Sequence, residues 1–381
     1  MKLALFFSRG VSLKLWIDKG LFDREKLLYE KHLLEGNVSK VYWITYGSDD
    51  LYLSTKMKKE NKLHKNIIVL PMPKIFNIPK VGSYLYSLFL PIIYKNILKN
   101  CDIYKTNQTD GSWSAVIAKK LYGKKLLYRT GFTMSQLENK LKRFNIFIRK
   151  TIEWFEKIAY KNCDKAVVAS KHNLDYIIDK YQISNDKIEV IYNFIDRDKF
   201  YDYEDVREEK VIFIGRLSDE KNIFNLMESL KDLELPLYIY GSGPLRDEIV
   251  KFIDKNRYDV KLMGNVLNSE LPKILNSAKY FTLVSKHEGM PKALIEGMAC
   301  GCICIGTNVS GINEVITGNN GILVDDINAK SIKEGFVKAK VLSKKDIKDM
   351  KLSAYKSIEQ NFILDNILKK EKQIFLELSD D

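Results

Sequence analysis

The chain alternates short, apolar, β-branched runs with segments of helix length, and this rhythm is repeated in both halves of its 381 residues. Polar or glycine residues follow each run, as they do at the ends of buried strands. Strands separated by helical segments form parallel sheets from βαβ units. The sequence therefore predicts an α/β protein with two Rossmann-like, doubly wound parallel sheets. The predicted strands are 2–7, 41–45, 67–70, 102–106, 125–129, 165–169, 188–192, 210–214, 237–240, 260–263, 280–284, 302–306 and 322–324.

A highly charged, turn-rich segment at 196–210 separates the two series of strands. A shift in composition of this kind marks a linker between domains. We therefore predict one domain at 1–196, a second at 210–360, and a C-terminal helix at 361–381 that returns to the first domain. Two such domains are expected to face each other across a cleft, because ligands bind outside the carboxyl ends of the strands.

The composition restricts the location of the protein. The apolar run before Arg9 is five residues long, shorter than the roughly 7–15 of a signal peptide. The apolar, uncharged run 81–94 is shorter than the ~18 residues of a membrane span. We expect a cytoplasmic protein, with peripheral attachment to the inner face of the membrane as an alternative that the sequence leaves open.

No metal or other cofactor is expected. Cys300, Cys302 and Cys304 form a C-x-C-x-C run that lacks the spacing of zinc ligands, so they are predicted to be small buried residues. The five cysteines are too few for a disulfide-stapled scaffold. The D-R-D of Asp196 to Asp198 is interpreted as a coincidence within the charged segment.

The net charge of +13 is compatible with anionic partners. The chain has no zinc knuckle, no aromatic RNA-binding motif and no basic tail, so nucleic acid is not an expected partner. A solvated basic surface remains an equally acceptable interpretation of the charge.

The densest motif is S-K-H-E-G-M-P-K-A-L-I-E-G-M-A-C-G at 285–301, which follows a predicted strand. Pro291 is placed to open a helix that contains Glu296, and Gly301 is placed to end it. Glu288 and Glu296 are about 12 Å apart if both are helical, too far to share a proton. They suit hydroxyl groups at two ends of one ligand, while the helix N-terminus between them suits an anionic linker. Surface carboxylates would give the same spacing, so this interpretation stays open on the residues alone.

Two further clusters follow predicted strands. In G-R-L-S-D-E-K-N, Gly215 allows a turn, and Arg216 and Lys221 can hold a diphosphate. In Y-G-S-G-P, Gly241 opens another strand-to-helix turn.

These motifs resemble the retaining glycosyltransferases of family 4, which have the GT-B fold. The E-x7-E of Glu288 and Glu296 is similar to the family signature, and so are M-G-N-V, S-G-I-N-E-V-I and N-G-I-L-V in the same order. The resemblance covers about residues 211–325. It implies transfer of a sugar from a nucleoside-diphosphate sugar to an acceptor hydroxyl with retention, in surface polysaccharide or glycolipid assembly, and with a first domain that binds the acceptor.

The resemblance also implies roles for individual residues. Arg216, Lys221 and Glu288 would be catalytic: the two cations bind the diphosphate and Glu288 contacts the transferred sugar. Glu296 would hold the ribose. The full set of donor-binding residues would be Gly10, Gly215, Arg216, Lys221, Gly241, Asn265, Val266, Glu288, Gly289, Met290, Pro291, Lys292 and Glu296.

The first half departs from the family pattern. Gly10 is single where a glycine pair is common, and Arg129 to Gly131 stand where many members place a histidine. Donor chemistry is therefore better supported than acceptor identity. The alternative function is a non-catalytic nucleotide-sugar-binding or scaffold subunit of the same fold.

One segment bears on the acceptor. Between 140 and 161, apolar residues recur at helical spacing, with basic residues opposite and with Phe147 and Trp154 at the flank. An amphipathic helix of this type can lie on an anionic membrane, as a lipid-linked acceptor would require. An ordinary core helix is the alternative, and the apolar segment 84–94 has the same two interpretations. The stripe is Leu141, Phe144, Ile148, Ile152, Phe155 and Ala159, and the basic face is Lys142, Arg143, Arg149, Lys150, Lys157 and Lys161.

Overall fold

The computed structural model describes residues 1–141 and 144–380. The chain divides into two compact units: Met1–Ile191 with the residues from Ile367 onward, and Tyr192–Asn366. Each unit has its own sheet and its own buried core.

The division falls ahead of the charged segment 196–210, because this part of the chain is bonded to the second unit. The Ile195 N–H donates to the Phe362 carbonyl at 2.9 Å. The Arg207 guanidinium donates to the Asn276 side-chain oxygen at 2.9 Å. A charged composition therefore does not make this segment a free linker.

The first unit contains a seven-stranded parallel sheet in the order β3-β2-β1-β4-β5-β6-β7. Its strands are buried on both faces, which explains their continuous apolar runs. The strands are β1 (Lys2–Phe6), β2 (Lys40–Ile44), β3 (Ile67–Leu70), β4 (Ile103–Thr106), β5 (Lys125–Thr130), β6 (Lys165–Val168) and β7 (Ile188–Val190). The helices are α1 (Leu13–Asp18), α2 (Phe22–Leu34), α3 (Asp50–Lys59), α4 (Gly82–Ile93), α5 (Lys95–Leu98), α6 (Ser112–Tyr122), α7 (Met134–Leu141), α8 (Ile146–Asn162) and α9 (Lys171–Tyr181).

The second unit contains a six-stranded parallel sheet in the order β10-β9-β8-β11-β12-β13. The strands are β8 (Glu208–Ile214), β9 (Leu237–Tyr240), β10 (Val260–Gly264), β11 (Ala278–Leu283), β12 (Ile303–Thr307) and β13 (Ile322–Val324). The helices are α10 (Ile223–Leu230), α11 (Arg246–Asn256), α12 (Leu271–Asn276), α13 (Lys292–Ala299), α14 (Ile312–Val315), α15 (Ala329–Lys340), α16 (Lys344–Asn361) and α17 (Leu364–Asp380). The residues of α17 from Ile367 onward belong to the first unit.

The predicted fold class is confirmed. Every predicted strand is present, with ends within two residues of the prediction. The strand order reverses between β1 and β4 in one sheet and between β8 and β11 in the other. In doubly wound sheets such a reversal opens a crevice at the carboxyl ends of the strands, which is where ligands bind.

The predicted helix at 140–161 is wrong at its beginning. Helix α7 ends at Leu141, and α8 begins at Ile146, where the Asn145 side chain accepts the Ile148 N–H at 3.0 Å. An asparagine cap of this kind starts a new helix. Lys142 and Arg143 lie outside the described residues.

Within α8 the predicted apolar stripe is divided. Ala159 is buried and Phe155 is half-buried, whereas Ile148 is exposed, as is Phe144 ahead of the helix. A fully buried carboxylate, Glu156, lies beside the inner part of the stripe. Burial raises the pKa of Glu156, although backbone and hydroxyl donors oppose the shift.

Among the described residues, no helix combines the length and the apolar character that a membrane span requires.

Candidate donor site

The candidate site lies at the reversal of strand order in the second unit. Strands β8 and β11 are neighbours and run parallel, so their carboxyl ends meet at one edge of the sheet. Arg216 and Lys221 follow β8, and Glu288 follows β11. The topology thus brings the three residues predicted as catalytic to one edge.

Lys221 and Glu288 are in direct contact. The Lys221 ammonium donates to Glu288 Oε1 at 2.5 Å, and the Ser285 hydroxyl donates to the same oxygen at 2.6 Å. The side chains of Lys221 and Glu288 are 18% and 11% exposed. Both charges are therefore largely withdrawn from water but still reachable by a ligand.

Hydrogen bonds hold the two loops that carry Lys221 and Glu288. The Lys286 N–H donates to the Glu220 carbonyl at 2.8 Å, which joins the loop after β11 to the loop after β8. Asn222, in the left-handed region at φ 58°, donates through its side chain to the Val284 carbonyl at 3.1 Å. The cation and the carboxylate are consequently held in place by the fold.

Helix α13 points its N-terminus at the same edge. Pro291 stands at its N-cap position and forms no side-chain cap hydrogen bond, and the positive end of the helix dipole suits an anion. Glu296 lies inside the helix and is only 5% exposed. Gly301 follows the last turn at φ 75°, as the sequence predicts.

Glycines allow the turns after β8, β9 and β10 to touch. The Gly241 N–H donates to the Gly264 carbonyl at 2.8 Å, and the Gly215 N–H donates to the Tyr240 carbonyl at 2.9 Å. A Cβ on Gly241 would lie 1.9 Å from the Gly215 carbonyl oxygen. The loop that carries Arg216 therefore depends on the absence of a side chain at Gly241.

We expect Gly241→Ala to lower the free energy of unfolding by about 3 kcal/mol or more, since it adds a backbone clash to an unfavourable φ of 137°. Gly264→Ala is the matched control, because φ is 74° there but a Cβ meets no atom within 4 Å. Its expected loss is about 1–2 kcal/mol. Thermal and urea unfolding measure both, and equal losses would contradict the importance of the close approach.

The remaining predicted donor residues of the second unit follow β8, β10 and β11 at this edge of the sheet. Asn265 is exposed and Val266 half-buried after β10, and Arg216 is exposed. Gly289 and Met290 lie between Glu288 and α13, and Lys292 is the first residue of that helix. The Met290 carbonyl accepts from the Asn193 side chain at 3.0 Å. Gly10, by contrast, belongs to the first unit, where it follows β1 at φ 77°.

The sequence analysis did not predict the contacts that hold the loop after β11 in place. The Ser310 hydroxyl lies 2.8 Å from His287 Nδ1. A Cβ on Gly311 would lie 2.7 Å from the Gly289 carbonyl, so the loop after β12 packs directly under this backbone. The S-G-I-N-E-V-I motif contains Ser310 and Gly311 and was the available signal.

A second missed pair lies at the reversal of strand order in the first unit. Arg9, after β1, and Asp110, after β4, form a two-point ion pair at 2.9 Å. The Arg9 guanidinium also lies 3.8 Å from the centre of the Tyr84 ring. Burial raises the pKa of Asp110, although Arg9 opposes the shift.

Within residues 1–141 and 144–380, no group of three or more His, Cys, Asp or Glu side chains is arranged to hold a metal ion. The Asp196 carboxylate accepts the Asp198 N–H at 3.2 Å, which is a local turn contact. Cys300, Cys302 and Cys304 are buried free thiols, and burial raises the pKa of Cys302 to about 11.

Two family models match the chain. Glycosyl transferases group 1 matches residues 195–356, and Glycosyltransferase Family 4 matches residues 40–199. An uncharacterized glycosyltransferase of Methanocaldococcus jannaschii is 25% identical over 337 residues, which are 87% of this chain and 91% of that protein.

Two further proteins show the range of similarity. The N-acetylgalactosamine-N,N'-diacetylbacillosaminyl-diphospho-undecaprenol 4-alpha-N-acetylgalactosaminyltransferase of Campylobacter jejuni is 27% identical over 66% of this chain and 71% of its own. The crystal structure of Anabaena HepE in complex with UDP and glucose matches with a TM-score of 0.76 and 14% identity, over 99% of this chain and 100% of that one. With the two sheets and the ordered motifs, these matches show that the chain belongs to glycosyltransferase family 4 and has the GT-B fold.

Proposed function

We propose that this protein is a retaining glycosyltransferase that moves a sugar from a nucleoside-diphosphate sugar to a hydroxyl of a lipid-linked glycan, in surface polysaccharide or glycolipid assembly. The observation that carries the proposal is the Lys221–Glu288 contact at the edge where α13 begins. At this place a cation and a helix N-terminus suit the diphosphate of such a donor, and a carboxylate suits the hydroxyl groups of its sugar.

The diphosphate is the leaving group, and its charge grows as the glycosidic bond breaks. Arg216, Lys221 and the N-terminus of α13 are the groups that would stabilise this charge. Because Lys221 is already fixed by Glu288, little reorganisation is needed when the donor binds. These cations can serve the role that a metal ion has in other transferases, so we expect activity to persist in a chelator.

Glu288 would orient the transferred sugar. The two donors to this carboxylate, Lys221 and Ser285, both use Oε1. Oε2 would then accept a hydrogen bond from a sugar hydroxyl. Glu296, in the second turn of α13, would accept from the ribose, and Asn265 and Val266 would lie near the base.

Retention follows from attack on the face that the leaving group occupies. The bond from the anomeric carbon to the phosphate oxygen breaks, and the bond to the acceptor oxygen forms on the same side. The acceptor proton passes to the departing phosphate. The transition state resembles an oxocarbenium ion, whose counter-charge is the diphosphate held by Arg216 and Lys221.

The acceptor class is proposed from similarity and from the surface of the first unit. The Campylobacter jejuni relative is named for a diphospho-undecaprenol acceptor. A lipid-linked acceptor requires an enzyme that works at a membrane, and the basic, aromatic segment 140–161 remains a candidate contact. The head of the acceptor would bind near Arg9 and Asp110, where the first sheet reverses its strand order.

The test begins with a thermal-shift panel of nucleoside-diphosphate sugars, since a ligand of the folded state raises the melting temperature. The donor that gives the largest shift is then assayed for transfer to a polyprenyl-diphosphate-linked sugar, and the anomeric configuration of the product is determined by NMR. We expect a retained configuration. Donor binding without hydrolysis or transfer would favour the non-catalytic alternative, and an inverted product would refute the proposed attack.

A further inference from the structure

Helix α4 is apolar on both of its faces. Tyr86 and Leu90 are buried against the first unit, whereas Leu88 and Ile92 point outward and are 51% and 61% exposed. A helix that is apolar all round is normally enclosed by other apolar material. Among the described residues, none buries the outer face of α4, although apolar helix faces are normally buried.

The exposed apolar surface extends beyond α4. The preceding segment contributes Ile75, which is 78% exposed. On the other side, Trp113 of α6 donates to the Ser87 hydroxyl at 2.9 Å and lies 4.8 Å from the Phe155 ring of α8. The first turn of α8 adds Phe147, which is 79% exposed. Exposed large apolar side chains on neighbouring elements of one unit mark an interaction site rather than ordinary scatter.

The charges in the segment of the chain that contains α4 have one sign. Residues 71–101 contain Lys74, Lys80, Lys95 and Lys99 but no aspartate or glutamate. All four lysines are exposed, two before the helix and two after it. Lysines that flank an apolar helix face are typical of a surface that meets anionic headgroups while its apolar side chains reach the acyl boundary.

We propose that the outer face of α4, with Leu85, Leu88, Phe89 and Ile92 at its centre, docks onto a lipid bilayer that carries anionic headgroups. A second copy of the chain is a poorer occupant, because pairing two α4 faces would place lysines against lysines with no carboxylate from residues 71–101 to neutralise them. An anionic bilayer can bury the apolar side chains and neutralise the lysines at the same time.

The docking face ends beside the candidate acceptor residues. Tyr84, in the first turn of α4, stacks on the Arg9 guanidinium, and Arg9 binds Asp110. This part of the inference rests on the proposed function: a lipid-linked acceptor held in the bilayer would present its head to the carboxyl ends of β1 and β4. The docking itself does not depend on which sugar is transferred.

The experiment measures co-sedimentation of the full chain with vesicles of phosphatidylcholine alone or with about one third phosphatidylglycerol. The wild-type protein should bind the anionic vesicles, less at high salt, and the neutral ones weakly. In Leu88→Ser with Ile92→Ser, the partition coefficient should fall at least about tenfold. The control is Val337→Ser with Val341→Ser, two residues of α15 and its C-terminal end that have the same spacing and are also exposed; it should bind like the wild type.

Unchanged binding of the α4 variant, or equal binding to neutral and anionic vesicles, would overturn the proposal. A wild-type dimer that the α4 variant loses, without vesicle binding, would also overturn it and assign the face to a second copy. The donor-induced thermal shift is measured in parallel without vesicles. It should be the same in all variants, so failure of donor binding and failure of docking are separate results.

Discussion

Replacing either Arg216 or Lys221 with alanine is expected to lower the turnover number by a factor on the order of 10²–10³, which is the usual effect of losing one preorganised group that stabilises transition-state charge. Lys221→Ala also removes the cation that Glu288 contacts at 2.5 Å. Initial rates at saturating donor and acceptor measure the effect, because the loss should fall mainly on kcat.

The chain offers a matched control for Lys221. Lys279 and Glu209 form an ion pair of the same length, 2.5 Å, at the opposite, amino-terminal edge of β11 and β8. Lys279→Ala should leave the turnover number within about twofold, since this edge carries no proposed site. Near-normal turnover in both Arg216→Ala and Lys221→Ala would refute their proposed role.

A second large effect is expected at Glu371, a buried carboxylate on α17. Glu371 accepts two bonds from the Lys105 ammonium, at 2.6 and 2.8 Å, and lies 3.1 Å from His32 Nε2. Both side chains of the Lys105–Glu371 pair are almost completely buried. Glu371→Gln leaves Lys105 charged and uncompensated, and we expect it to lower the free energy of unfolding of the first unit by about 3–5 kcal/mol.

Tryptophan fluorescence during urea unfolding can measure this loss in the first unit alone. Trp16, Trp43, Trp113 and Trp154 are the four tryptophans of the chain, and all belong to that unit. The control is Glu377→Gln on the same helix, where a partly exposed partner of Lys165 should contribute less than about 1 kcal/mol. Equal, small losses at 371 and 377 would contradict the prediction.

The same pair gives a pH dependence with a definite sign. Burial alone would raise the pKa of Glu371, but the Lys105 ammonium and His32 outweigh it and hold that pKa well below its usual range. The stabilisation is thus complete above the pKa of an unfolded glutamate, about 4.3, and declines as the pH falls toward the folded value. The stability difference between the wild type and Glu371→Gln should accordingly narrow below about pH 4.

The parallel strands were predictable because most of them are enclosed on both faces and are therefore apolar throughout. The position of Arg216, Lys221 and Glu288 at one edge of the sheet was predictable because turns after neighbouring parallel strands meet there. The sequence did not indicate that Lys221 and Glu288 touch, since they are 67 positions apart in the chain and their separation leaves the approach of two loops undetermined. Lys105 and Glu371 are 266 residues apart, and neither has a local pattern that distinguishes it from a surface charge.

Other predictions failed for local reasons. The helix at 140–161 begins later because the Asn145 cap is a better start signal than the periodicity of the preceding residues. Periodicity also could not show that Glu156 is buried beside the apolar stripe, where it accepts the Met134 N–H at 2.8 Å. The segment 84–94 has an inner and an outer apolar face, and hydrophobic content alone does not say which face is covered.

The last helix has a consequence for synthesis on the ribosome. The second unit is complete once Asn366 has emerged, but the first unit, although translated earlier, still lacks its final segment from Ile367 onward. Until that segment emerges, the ammonium of Lys105 has no carboxylate from α17 beside it. The core of the N-terminal part of the nascent chain can therefore close only after the segment from Ile367 onward has emerged, and truncation near residue 366 would leave that part exposed to proteases.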